Sequence, residues 1–273
     1  MFNLKRRSLM TAAALLLAGA FAPMANAATL QEIKDRGKII VGIQGDNAPW
    51  GFVNSSGVQD GFDADVAHLF GKELGVEVEF QPLAVANRIP ALTTGKVDIL
   101  FATMAMTPER AKSIQYSKPY AANTLSLYGA KADTAKVAAD VSGWEIGVPK
   151  SSAQDKAVTE AVGSLATVRR FDDDAATIQA LLSGQVKAVG GNRFYMKRLD
   201  AASPGTYEVK IDFLNAYNGA GTRLGEKDLN EAVNAFIDKI KQNGELAAVT
   251  RKWMAIDLPT FPDSLPGVPF TVN

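Results

Sequence analysis

The sequence predicts an α/β fold made of two similar units. Short apolar runs alternate with amphipathic helical segments along most of the chain, the order that gives largely parallel sheets flanked by helices. The segment ALTTGKVDIL, residues 91–100, aligns without gaps on ALLSGQVKAV, residues 180–189, and repeats Ala, Leu, Gly and Val at equal offsets. The chain has 273 residues, 47% of them apolar and 21% charged, which is enough for two domains with ordinary globular cores.

The first 27 residues read as a signal peptide and not as part of the fold. Lys5, Arg6 and Arg7 form a basic start, LMTAAALLLAGAFA an apolar centre, and Ala25-Asn26-Ala27 a small-residue cleavage site. The mature chain is expected to begin near Ala28 and to leave the cytoplasm by the general export route. No cysteine follows the apolar centre, so no lipid anchor on that residue is expected.

The first unit opens with GKIIVGI, a buried strand, and a loop dense in Gly, Pro, Asn and Ser. FDADVAHLFGKELG is a helix, with Asp63 as N-cap and Gly75 as stop; Val66, Leu69, Phe70 and Leu74 share a face. VEVEF alternates as a strand. NRIPALTTG is a helix that tolerates Pro90 in its first turn, and VDILFATM is a further buried strand. A new helix is expected to open at Thr107-Pro108-Glu109-Arg110.

A second unit begins near Lys131. WEIGVP is a strand, followed by a helix with Ser152 as N-cap and Asp155 three residues on, a capping box in form. ATVRRF is a strand, DDDAATIQALLSG a helix with acids in its first turn, and VKAVGG a strand. The segment KDLNEAVNAFIDKIKQNGELAAVTRKWM forms two helices broken at Gly244. They are expected to return to the first unit, and the Pro-rich end reads as extended chain.

Composition narrows the function. There is no cysteine and a single histidine, His68, so neither a disulfide framework nor a thiolate or histidine-rich metal site is expected. Without the leader's three basic residues, the 29-to-29 balance of basic and acidic residues turns slightly acidic, which argues against nucleic acid as a partner. Neither a GxxxxGK loop nor a Rossmann glycine fingerprint occurs, and no cofactor is expected.

The runs DGFDADVAHLFGKELGVEVEF, RIPALTTGKVDI and MTPERAKSIQYSKPY together resemble the polar amino-acid-binding family of periplasmic solute-binding proteins, which serve ABC importers. The resemblance spans about Gly37 to Met254. It implies a two-lobe periplasmic-binding-protein fold, each lobe a mainly parallel sheet flanked by helices, joined by hinge strands near Ser126–Ala130 and Leu214–Asn218. The implied division is residues 28–128 plus 218–258 for lobe 1, 129–217 for lobe 2, and 259–273 for the tail. The implied function is capture of an amino acid or related carboxylate by cleft closure. The implied partner is a membrane permease, and the implied state is a monomeric periplasmic protein.

The resemblance also implies site residues. Arg110 stands at the family's arginine position, and a guanidinium matches the two oxygens of a ligand carboxylate. Thr103 and Ala105 lie beside it, and Ser152 and Ala153 open a helix in the facing lobe. Alternatively, Arg110 pairs with Glu109 or Asp98, and Ser152 is only a cap. Trp50 forms either a ligand wall or core packing. Asn192 stands where the family usually has an aspartate for the ligand ammonium, Gln44 where an acid is common, and Asn47 where an aromatic is common. Asp46 is the candidate substitute acid. Arg88, in NRIP, resembles an arginine that grips a side-chain carboxylate, which puts aspartate or glutamate first; exposure or an ion pair is the other reading. Two further functions share this fold: an exported enzyme resembling cyclohexadienyl dehydratases, and a ligand-loaded partner of a sensory receptor.

Overall fold

The computed structural model describes residues 29–272. The leader and its cleavage site therefore lie outside the described residues. In chain order the elements are α1 (Leu30–Asp35), β1 (Lys38–Ile43), β2 (Asp46–Asn47), β3 (Gly51–Val53), β4 (Gln59–Asp60), α2 (Phe62–Leu74), β5 (Glu77–Pro82), α3 (Arg88–Thr93), β6 (Ile99–Leu100) and β7 (Ile114–Ala130). They continue with β8 (Glu145–Pro149), α4 (Ala153–Val162), β9 (Thr167–Phe171), α5 (Asp174–Leu182), β10 (Ala188–Asn192), α6 (Tyr195–Ala202), β11 (Tyr207–Arg223), α7 (Lys227–Gln242) and α8 (Glu245–Met254).

Two long strands organise the molecule. β7 and β11 pair antiparallel along most of their length, and each lobe attaches to this ribbon. On one side β6 joins β11, then β1 and β5 follow in parallel. On the other β10 joins β7, then β8 and β9 follow in parallel. The result is a single hydrogen-bonded order, β5-β1-β6-β11-β7-β10-β8-β9, shared by two lobes. The strands β2, β3 and β4 form a separate small sheet.

The repeated segment of the sequence is a repeated structure. Gly95 and Gly184 both end a helix at φ 74°, a left-handed backbone that glycine adopts without steric cost. Both amides that follow each glycine turn back to one carbonyl: Lys96 and Val97 to Ala91, Gln185 and Val186 to Ala180.

The helices α7 and α8 return to the first lobe. Leu229, Val233, Phe236, Ile237 and Ile240 recur at helical spacing and are buried with Phe62, Phe70 and Phe101. Phe70 and Phe236 meet with ring centroids 5.1 Å apart. Each such side chain contributes roughly 1.5–3 kcal/mol by leaving water. The segment after α8 runs without regular structure and buries Val268 against the first lobe. Asn234 Nδ2 donates to the Phe270 carbonyl at 2.7 Å, and Gln115 Nε2 to that of Pro269 at 2.8 Å.

Three local expectations are corrected. No α-helix opens at Thr107; the segment makes only a 3₁₀ turn at Arg110–Lys112, because the chain enters β7 at Ile114, where it pairs with β11. Asp63 is not the N-cap of α2. Gly61 takes that place, and the Asp63 carboxylate turns to other partners. Ser152 caps α4 through Asp155 N–H, but the Asp155 carboxylate accepts from Ser151, not Ser152, so the box is not closed. Among the described residues no helix is long and apolar enough to cross a membrane.

Candidate ligand-binding site

The carboxyl ends of β1, β6, β8 and β10 converge on the gap between the lobes, where open α/β sheets place ligands. The cavity there is about 20 Å³, room for about one water, so the two lobes stand close together around it.

Arg88 starts α3 and is 3% exposed. Its Nη1 donates to the Ala102 carbonyl at 2.6 Å, which fixes the plane of the group. Its Nε and Nη2 are buried and have no hydrogen-bond partner. These two nitrogens occupy one edge of the guanidinium, the edge that grips a carboxylate with two parallel bonds. Burial lowers the Arg88 pKa to about 10, with Asp174 opposing and Arg110 adding to that shift. The group therefore carries its charge at neutral pH.

Arg110 stands at the junction of the lobes. Its Nη1 donates to the Ala105 carbonyl at 3.1 Å and its Nη2 to that of Ser151 at 3.0 Å. It spans the gap and pairs with neither of the acids weighed above; Asp98 pairs with Arg36, and Glu109 lies near Lys156. Thr103 adopts φ 50°, a left-handed backbone uncommon for its type. Asp63 holds it there: Oδ2 accepts from Thr103 N at 2.8 Å and from Oγ1 at 3.0 Å, and Oδ1 accepts from the Tyr120 hydroxyl at 2.7 Å. Burial raises the Asp63 pKa to about 6 against the pull of these donors.

A row of amides crosses the gap. Asn192 Nδ2 donates to Asn47 Oδ1 at 3.0 Å, Asn47 Nδ2 to Gln44 Oε1 at 3.1 Å, and Gln44 Nε2 to Asp174 Oδ2 at 2.9 Å. Asp174 ends the row, buried at 1% exposure and also bonded by the Tyr195 hydroxyl at 2.7 Å. Burial, together with the charge of Asp46, raises the Asp174 pKa to about 6.

The sequence pattern of the bacterial extracellular solute-binding proteins, family 3, matches residues 39–256. The chain belongs to this family. Among its relatives, the L-cystine-binding protein TcyJ of Escherichia coli K12 is 28% identical over 94% of this chain and 98% of its own. The ABC transporter glutamine-binding protein GlnH of Bacillus subtilis 168 is 30% identical over 84% of this chain and 85% of its own. Of solved structures, the solute receptor for L-cysteine of Neisseria gonorrhoeae superposes with a TM-score of 0.79 at 29% identity, over 83% of this chain and 94% of that one. The ancestral amino acid-binding protein AncCDT-1, described as a precursor of cyclohexadienyl dehydratase, gives 0.76 at 32% identity, over 82% and 98%.

In this solute-binding protein the gap brings together most of the residues picked from sequence. Arg88, Thr103, Ala105 and Arg110 line it from the first lobe with Asn47, and Ser152, Ala153 and Asn192 from the second. Two stand elsewhere. Trp50 is fully buried in the core, edge-on to Phe62 and Phe194. Asp46 lies outside the lining, because its carboxylate is held by the backbone N–H groups of Asp174 and Ala175. His68 sits exposed, edge-on to Phe80. Sequence reasoning missed Gln154, Asn123 and Asn218 in the lining. Asn218 falls in the expected hinge strand, where its side chain gave no separate signal. Its Nδ2 and Oδ1 both lack partners at 1% exposure.

Proposed function

We propose that this solute-binding protein captures a small carboxylate of the amino-acid class between its lobes and presents the closed form to the permease of an ABC importer. Its place is the periplasm, reached after cleavage of the leader near Ala27, without a lipid anchor. The moving bodies are residues 28–128 with 218–258, and residues 129–217. Arg88 carries the reading. A buried guanidinium edge with two unmet donors costs several kcal/mol unless an anion meets it, and a carboxylate satisfies both with charge-assisted bonds. The amino-acid names of the relatives support the ligand class. Acidic and polar members of that class fit a lining that carries two arginines.

Closure follows from shared contacts. A ligand touching residues of both lobes favours the state in which both are within range, in proportion to its extra contacts there. Arg110 bonds to the main chain of each lobe, which supports a ligand contact with its charge at the junction.

The test is calorimetry and thermal shift against amino acids and their close derivatives, with Arg88→Ala alongside. A native-state ligand raises the melting temperature of the wild type. Binding of small carboxylates that is unaffected by Arg88→Ala would sink the reading.

A further inference from the structure

The cavity carries two guanidiniums and, among the described residues, no carboxylate lines it. An α-amino acid brings an ammonium, and a charged ammonium moved from water into a protein interior needs a negative partner. Three acids are close enough to act on Arg88: Asp174, Asp46 and Asp63. Each is already engaged. Asp63 gives both oxygens to Thr103 and Tyr120. Asp46 faces two backbone N–H groups. Asp174 gives Oδ2 to Gln44, and Oδ1 to Tyr195 and, at 3.5 Å, to Gln154.

The amide row has a fixed direction. An ionised carboxylate only accepts, so Gln44 must point its NH₂ at Asp174, Asn47 its NH₂ at Gln44, and Asn192 its NH₂ at Asn47. The oxygens of Gln44 and Asn47 thereby accept from the next amide, and that of Asn192 accepts from Phe194 N–H at 2.9 Å. Gln44, Asn47 and Asn192, at the places where an acid would serve an ammonium, are thus neutral, and each amide oxygen already accepts one bond.

Asn218 offers the opposite. Its buried donor and acceptor are both free, side by side on one planar group. Such a pair complements another amide, which also presents one N–H and one C=O. Resting on the carboxylate reading of Arg88, we propose that the site selects a carboxylate whose nitrogen is an uncharged amide, an N-acylated amino acid, with Arg88 on the carboxylate and Asn218 on the amide. The preference over the free amino acid arises from the cost of burying an ammonium beside two fixed cations with no carboxylate in the lining to receive it.

Matched pairs test this: L-glutamate with N-acetyl-L-glutamate, and L-glutamine with N-acetyl-L-glutamine, titrated by calorimetry into wild type, Arg88→Ala and Asn218→Ala. The acetylated partner of at least one pair should bind tighter than its free form by about tenfold or more. Arg88→Ala should abolish that binding, and Asn218→Ala should weaken it by about tenfold. Asn218 makes no side-chain bond inside the protein, so its replacement should leave the unliganded melting temperature unchanged or higher, which a purely structural residue would not do. Free amino acids that equal or exceed their acetylated partners overturn the inference; if Arg88→Ala still removes their binding, the carboxylate reading stands. Absence of binding by both acetylated compounds also overturns it. If every free amino acid fails as well, the carboxylate reading falls with it.

Discussion

Asp46 Oδ2 accepts the backbone N–H of Asp174 at 2.8 Å, so that an acid of the first lobe sits at the start of a helix in the second. The Ala175 N–H points at the same oxygen from 3.1 Å. The helix has its own cap, Asp173, whose carboxylate accepts from Ala176 N–H at 2.6 Å. Asp46 thus meets two amides at the helix start that Asp173 leaves free, and ties the two lobes together at that point. Asp46→Ala should remove about 1 kcal/mol from the closed state, lower ligand affinity by about fivefold, and leave the circular dichroism of the helices unchanged. Small-angle scattering of the unliganded variant should show a larger radius of gyration than the wild type.

The buried acids set an unusual pH dependence. Asp63 has its pKa raised to about 6 in the folded protein by burial, against 3.8 for an ordinary aspartate. Between these values the folded state binds more protons than the unfolded one, so stability falls as pH rises. The contribution is complete below about pH 4 and lost as pH passes 6; Asp174 acts in the same sense. Urea unfolding should give greater stability at pH 5 than at pH 7, by about 1 kcal/mol from Asp63, and the difference should approach about 3 kcal/mol at pH 4 and below. Asp63→Asn should flatten that slope, and an unchanged slope would show that Asp63 ionises normally.

Trp50 reports on the gap. It packs in the first lobe, yet Phe194, just beyond β10, lies edge-on to it with centroids 5.8 Å apart. Separation of the lobes withdraws that ring and admits water. Ligand addition should therefore shift tryptophan emission to shorter wavelength in the wild type. Trp50→Phe, which keeps Trp144 and Trp253, should lose the shift while retaining binding.

The last residues brace the first lobe. Val268 is buried, and the carbonyls of Pro269 and Phe270 accept from Gln115 and Asn234. Truncation after Leu258 removes this burial and leaves the two side-chain amides without partners. It should cost about 2–4 kcal/mol, read as a fall of several degrees in the melting temperature.

The alternation of elements was legible because it follows from hydrophobic period and glycine stops. Gly95 and Gly184 mark corresponding ends in the two lobes for one backbone reason. Arg88 and Arg110 were legible by type and place. Direction was not. Asp46 and Gln44 are two residues apart, and only the turn into β2 decides that Gln44 faces the cavity while Asp46 faces a helix end. The roles of Asp174 and Asn218 depend on residues more than 100 positions away. Gln44 meets Asp174 across 130 residues, and Ala105 bridges to Asn218 from the β6 side of β11. Periodicity within a segment carries no trace of such meetings. The short turn after Thr107 departs from the expected helix because cap and proline signals favour a helix only locally, while β7 claims the following residues through pairing with β11.

The register of the β7–β11 ribbon slips between Asn218 and Gly219, and again between Gly219 and Gly221. Such slips are where a paired ribbon creases most easily, since ladder bonds there are already interrupted. Asn218 borders that crease. If a guest is held by Asn218, as proposed, its pull would fall on the ribbon where it is readiest to fold.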